Sequence, residues 1–461
     1  MTPMSVPAGA PAPRWLVGAV AVLVASNVAV AGGVVVDRTE SRLAPRQGPV
    51  AGAHVAARAA IGADTQEVQR AVIALLGRRA TAVRRHDITS FMATVDPLAP
   101  QAFKAAQRSS ALALRVVPLS SWTYELDPDK AHDLPADRVP RYGGAATWSP
   151  DVLLSYQIAG FDPQPTVDEI YPTFVQRSGQ WYLGAVDDLV SSGLTTQKGP
   201  WDFGPLLVTR TRSSIVFGHK GSTALARLVG GEIDRAVPRV DAVWRRPWAH
   251  KAVVILPATQ QELETLIDEP NLDQIAAVAT AESAARADGT QQAPVGDRVM
   301  VNPKNFRELG PLGRRVVLTH ELTHIATRSS TAGGVPSWLV EGFADYVGYL
   351  GAGVPVKVAA SELADDLDNG TKLKGLPTDD DFEATNPDLA QAYEGAWLAN
   401  RLIAERVGPT GLAALYAAVG REASQGADVD EVVSAALEAT VKLTLPEFTA
   451  AWRSYVRRQL R

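Results

Sequence analysis

The sequence contains no cysteine. That removes disulfides, thiolate nucleophiles and sulfur-ligated zinc, so any metal has to be held by histidines and carboxylates. It also lacks a strong charge of either sign. A formal net charge of −5 over 461 residues supplies no electrostatic case for nucleic acid, and no nucleic-acid partner is expected. No internal repeat is present. What remains is ordinary for folded domains: 46% hydrophobic and 21% charged residues argue against bulk disorder, and the length suits two or three domains.

Charge is also missing locally, near the N-terminus. Residues 1–14 are rich in Pro and Ala, and Trp15 to Val36 carries no charge, with Ser26 and Asn27 its only clearly polar members. As a helix this run spans about 33 Å, enough to cross the hydrocarbon core of a bilayer. Asp37, Arg38 and Glu40 close it. The expectation is a cytoplasmic tail over 1–14 and a signal anchor over 15–36, with the remaining domains outside the cytoplasm. The alternative is a signal peptide cleaved at Ala29-Val30-Ala31, which releases a secreted protein.

Residues 37–64 hold Pro45, Gly48, Pro49, Gly52 and Gly62 among small residues and read as a linker. A first folded region covers 65–198. It begins with helical periodicity (Val68, Ala71, Val72, Leu75, Leu76) and continues with strand-like stretches at Ala111 to Leu119, Asp151 to Ala159, Tyr171 to Gln176 and Gln180 to Val186. A second region covers 201–461, after the punctuation Gly199-Pro200-Trp201. It reads as a strand at Leu206 to Phe217, a helix at Ser222 to Ala236, a strand at Lys251 to Leu256 and a helix at Gln260 to Ile267. Strands follow at Ile275 to Thr280 and Asp297 to Val301, and the chain is helical beyond Gly310. The fold class is α+β.

Chemistry concentrates between Arg314 and Tyr349. The helical run RRVVLTHELTHIAT sets His320 and His324 at i and i+4 on one face, where both imidazoles reach one ion. Glu321 is swung aside, placed to hold a water rather than the metal. After a Gly-containing loop, Pro336 introduces a second helix, PSWLVEGFADYVGYL, whose Glu341 can complete a His₂Glu zinc set from a facing helix. Asp345, four residues later, can accept the free ring N–H of a ligand histidine. The other histidines (His54, His86, His132, His219, His250) have no ligand spacing and read as surface or core residues.

These segments carry two resemblances. The helical start, the sheet and the late hairpin PTFVQRSGQWYLG resemble nuclear-transport-factor-two-like (cystatin-like) α+β domains, with Trp181 and Tyr182 expected in the sheet core rather than in a ligand pocket. HELTH followed by WLVEGFADY resembles the gluzincin metallopeptidases, in particular the peptidase MA-like family. That resemblance implies a zincin domain with a mixed sheet and a mostly helical C-terminal half. It also implies zinc held by His320, His324 and Glu341, Glu321 as catalytic base, and Asp345 as partner of the first histidine. In AYEGAWLANRLIAERVG it makes Tyr393 the candidate donor to the oxyanion. No G-x-M-E-N segment is present, which favours an endopeptidase over an aminopeptidase. The expected partners are a peptide or protein substrate and the membrane, the latter through 15–36. The strand around Arg298 to Asn302 is the expected edge for pairing with extended substrate. Two other readings stand beside this one: a zinc-binding scaffold without turnover, and a ligand-binding protein acting through 65–198.

Overall fold

The computed structural model describes residues 65–268, 272, 275–282, 296–331, 334–383, 385–425 and 427–461. The expected membrane segment 15–36 and the linker 37–64 lie outside the described residues. Among the described residues no helix is long and apolar enough to cross a membrane.

The periodic run beginning at Thr65 forms α1 (Thr65–Arg84), followed by α2 (Ile88–Met92) and α3 (Gln101–Leu114). The predicted strand at Ala111 to Leu119 is therefore corrected: helix continues to Leu114, and strand begins only at Leu119. Ala-Leu-Ala-Leu alternates like a strand, but Ala and Leu are among the strongest helix formers, and Ala111, Ala113 and Leu114 are buried on the helix. Strands β1 (Leu119–His132), β2 (Thr147–Ile158), β3 (Thr166–Ile170), β4 (Thr173–Arg177) and β5 (Gln180–Ala185) make an antiparallel sheet in the order β1-β2-β4-β5, with β3 also on β2. The β4–β5 hairpin turns on Ser178 and Gly179, both at positive φ (47° and 79°), as two-residue hairpins require. Trp181 is a core residue packed with Phe174 and Leu183. Tyr182 is half-buried, with its hydroxyl donating to Gln180.

The second sheet has the order β6-β7-β8-β10-β9, from β6 (Leu207–Arg210), β7 (Ser214–Gly218), β8 (Ala252–Leu256), β9 (Ala277–Glu282) and β10 (Gly296–Val301). The helices α4 (Thr223–Val243) and α5 (Gln260–Ile267) fall between β7 and β9 in the chain. β7, β8 and β10 run parallel, and β6 and β9 are antiparallel edges, so the sheet is mixed as expected. SIVFG and AVVIL are buried along their whole length, the unbroken apolar pattern of strands covered on both faces.

Two sequence expectations change here. The single strand read at Leu206 to Phe217 is a β6–β7 hairpin. Its turn has no Gly or Pro signal, because Asp234 from α4 supplies the closure: it accepts from Ser213 N at 2.7 Å and from Thr211 Oγ1 at 2.9 Å. The edge strand is β9, not the strand at Arg298 to Asn302, because β10 is enclosed between β8 and β9.

Alternation along these strands divides two cores. Ile215, Phe217, Val253, Ile255, Val278 and Met300 point toward the first region and pack with Trp122, Tyr156, Ile158 and Trp201. Val216, Val254, Leu256, Ala279, Val299 and Val301 point the other way, into a helical core. The first region thus covers one face of the second sheet. Trp201, in the punctuation between the regions, is buried edge-on against Trp122 and Tyr156 at 5.3 and 5.1 Å. Arg298 on β10 donates to Asp162, at 2.6 and 3.1 Å, inside the same contact.

The helical half comprises α6 (Pro303–Glu308), α7 (Pro311–Thr331), α8 (Ser337–Tyr349), α9 (Val356–Ala359), α10 (Ser361–Asp368), α11 (Leu389–Ala423), α12 (Val429–Val441) and α13 (Leu445–Leu460). α11 bends at Gly408, whose φ of 76° is open to glycine at little cost, and Pro409 restarts the helix. α7 lies under the second sheet beside α4, α8 and α11, which sets the motif histidines against the free edge at β9.

Candidate metal centre

α7 is buried over most of its length, so its polar side chains need partners. Thr319, Thr323 and Thr327 donate back to carbonyls one turn earlier, at 2.6, 2.7 and 3.0 Å. His320 and His324 find theirs outside the helix. α8 crosses α7 and brings Glu341 and Asp345, one turn apart, onto the two imidazoles. The N-terminus of α8 is held by Asp379, which accepts from Ser337 N at 2.8 Å.

His320 Nδ1 donates to Asp345 Oδ1 at 2.9 Å. A carboxylate only accepts, so in the neutral ring this bond places the proton on Nδ1 and the lone pair on Nε2. That lone pair lies 2.8 Å from His324 Nε2 and 3.3 Å from Glu341 Oε2, which is 3.5 Å from His324 Nε2. Both carboxylate oxygens of Glu341 are buried and receive no hydrogen bond of normal geometry. Two facing nitrogens and a buried, unsatisfied anion are costly unless a cation sits among them. Donors around a tetrahedral zinc stand about 3.3 Å apart for bonds of ~2.0–2.1 Å, and two of the three separations match. Among the described residues this is the one group of three or more His, Asp or Glu side chains whose ligand atoms lie within 4.8 Å of one another. The residues fit zinc.

Without a cation, a proton on His320 takes its place. Burial lowers the His320 imidazolium, but its bonds to Asp345 and Glu341 outweigh this and raise it to about 10, while burial lowers His324. Burial pushes Glu321 up to about 8 and also raises Asp345. Glu341 resists its burial: the charge of His324 and the contacts with both imidazoles hold it at about 2.

Glu321 is fully buried beside this group. Its Oε2 accepts from the backbone N–H of Ala279 on β9 at 2.6 Å, and its Oε1 has no partner. Tyr393, on α11, enters from the other side, its ring 6.5 Å from that of His320. Its hydroxyl is buried without a hydrogen bond of normal geometry. Burial, then the charges of Glu341, Asp345 and Glu321, push the phenol well above 10 and keep it a proton donor. All six sequence-selected side chains (His320, Glu321, His324, Glu341, Asp345, Tyr393) therefore converge.

Three groups at the site escaped the sequence reading: the Ala279 amide, Arg328 and Asp297. Arg328 continues the four-residue step of His320 and His324 along α7. Its Nε donates to Asp297 Oδ1 at 2.8 Å, and its Nη2 is 3.5 Å from Ala279 O. The i+4 spacing was a usable signal for Arg328. The amide had none, since it depends on which strand forms the edge.

The remaining histidines lie elsewhere, apart from His54, which is outside the described residues. His132 meets Asp151, His250 meets Asp241, and His86 is exposed. His219 is buried, with Nδ1 3.1 Å from Pro205 O and Nε2 2.8 Å from Glu262 Oε1. Two acceptors call for two ring protons. The Glu262 bond outweighs burial and raises the His219 pKa above 6.5. A raised pKa gives stability that is full below the unfolded value and lost as pH rises through the folded one. His219→Gln is therefore expected to destabilise the protein more at about pH 6 than at about pH 9. Urea unfolding of both proteins measures this, and an equal difference at the two pH values would contradict it.

No known protein family and no curated protein matches the sequence. Among solved structures the chain is similar to a mutant of a two-domain M1 zinc metallopeptidase bound to L-arginine, at 11% identity and a TM-score of 0.33, covering 69% of this chain and 90% of that one. A mutant two-domain M1 zinc metallopeptidase bound to L-tryptophan has 13% identity and a TM-score of 0.28, over 62% of this chain and 58% of that one. A mutant M1 zinc metallopeptidase from Deinococcus radiodurans, bound to a Tyr-Ser-Ala substrate, has 11% identity and a TM-score of 0.30, over 69% and 90%.

Proposed function

We propose that this chain is a zinc-dependent peptidase, exported or anchored by residues 15–36, with His320, His324 and Glu341 as metal ligands. The observation that carries the reading is Glu341: a buried carboxylate that receives no hydrogen bond of normal geometry, set against two imidazole nitrogens. A bound zinc would lower the pKa of water toward ~7 and polarise a carbonyl.

The chain's own groups do the rest. Asp345 fixes the tautomer of His320 so that Nε2 faces the site. Glu321 takes the proton of the attacking water on its unpartnered Oε1 and passes it to the leaving amine. Tyr393 donates its O–H to the oxyanion that develops from the scissile carbonyl. On either side of Ala279, whose N–H and C=O face Glu321 and Arg328, the free edge of β9 offers backbone groups to an extended substrate.

The test is metal analysis together with cleavage of a denatured protein substrate, with and without a chelator. One zinc per chain, and cleavage abolished by chelation and restored by zinc, are expected. A protein that binds no zinc, or cleaves equally well in chelator, would remove the reading.

A further inference from the structure

Building on the peptidase reading, we propose that the backbone N–H of Ala279 positions the catalytic base, and that Arg328 and Asp297 hold the edge strand so that it does.

In the β9–β10 ladder Ala279 lies opposite Val299. Antiparallel residues alternate between pointing their backbone groups into the ladder and away from it, and Ala279 turns its groups away, onto the free edge. The N–H meets Glu321 Oε2 at 2.6 Å and the C=O faces Arg328 Nη2 at 3.5 Å. The Glu321 carboxylate is thereby divided. Oε2 is tied to a donor fixed in the sheet, and Oε1, buried and unpartnered, is left to carry the proton.

Arg328 joins this edge to the catalytic helix. Its guanidinium spans Asp297 at the start of β10 and the Ala279 carbonyl on β9, while its backbone lies one turn beyond His324 on α7. Asp297 is itself opposite Ala281 in the ladder. The two side chains thus lock β9 to α7 at the residue whose amide holds the base. A charge-assisted bond to a fixed backbone donor orients a carboxylate better than water does. Arg328 and Asp297 are positioning residues in this account, with no substrate contact assigned to them.

The first test needs no metal and no substrate. Hydrogen–deuterium exchange on the metal-free full chain, read in a fragment spanning residues 275–282, should show one outward-facing amide protected. Glu321→Ala should release about one deuteron's worth of protection there, whereas Glu321→Gln, whose amide oxygen still accepts, should retain it. Equal exchange in the native protein and in Glu321→Ala would overturn the proposal, whatever becomes of the peptidase assignment. The second test uses the zinc-loaded enzyme. Arg328→Gln should keep one zinc and its KM while kcat falls by about 10²-fold, the scale of a small misplacement at a reacting group, and Arg328→Lys should fall between. Asp297→Asn, with its side chain partly exposed, should repeat the loss more mildly and guards against a folding failure of Arg328→Gln. An unchanged kcat in both, or a raised KM with kcat intact, would overturn the role given to the pair.

Discussion

Glu321→Gln should fold, bind one zinc and lose turnover by roughly 10²–10⁴-fold, the contribution of a positioned general base. The substitution is nearly isosteric at a fully buried position, so packing around α7 is unchanged. The new amide oxygen can accept the Ala279 N–H in place of Oε2. The other end of the side chain then presents an NH₂ group that cannot take a proton from water. Metal binding is spared because Glu321 is not among the converging ligand atoms, which belong to His320, His324 and Glu341. His320→Ala is the contrasting change: it removes a ligand and leaves Asp345 without its imidazole, so zinc and turnover should be lost together. Measuring kcat and bound zinc on the same preparations separates the two. Turnover near the native level in zinc-loaded Glu321→Gln would sink the assignment of the base.

The legible part of this site was the part written in local spacing. His320 and His324 lie one helical turn apart, as do Glu341 and Asp345, and a helix places such pairs on one face whatever surrounds it. The sequence pattern therefore placed four side chains of the centre on two helices, and the structure brings those helices together. Tyr393 came from resemblance alone, because nothing in the local pattern of α11 marks one buried tyrosine among its apolar neighbours. The edge strand was misassigned for a physical reason. The segments at 277–282 and 296–301 are both short and mix apolar with charged residues, and which is outermost depends on β10 pairing in parallel with β8, a long-range contact that no local pattern encodes. The same dependence hid the Ala279 amide. The relation between the two regions was also hidden: Gly199-Pro200-Trp201 looks like a linker, yet Trp201 is buried in a core to which both sides contribute.

Gly342→Ala should be a severely damaging small substitution beside the centre. Gly342 follows Glu341 on α8, and a Cβ there would stand 2.2 Å from Ala396 O and 2.2 Å from Asn400 Nδ2, both on α11. The first obstacle is backbone and cannot rotate away, so the helices must separate. Overpacking of this kind typically costs about 1–3 kcal/mol and sometimes more. Here the displaced Asn400 amide also risks its bonds to Trp338 O and Ala396 O, both at 3.0 Å, each worth about 1 kcal/mol. With both bonds broken the loss is roughly 3 kcal/mol or more, which lowers Tm by about 3–4 °C in a protein of this size. The site should suffer as well. Glu341 and Tyr393 approach from the two helices being pushed apart, so zinc affinity should fall even in molecules that remain folded. Gly77→Ala on α1 is the control, since a Cβ there meets nothing within 4 Å and alanine is the better helix former. Thermal melts of the metal-free proteins and a zinc competition titration read both effects. If Gly342→Ala melted and bound zinc as the native chain does, the close crossing of α8 and α11 could not be what holds Glu341 in place.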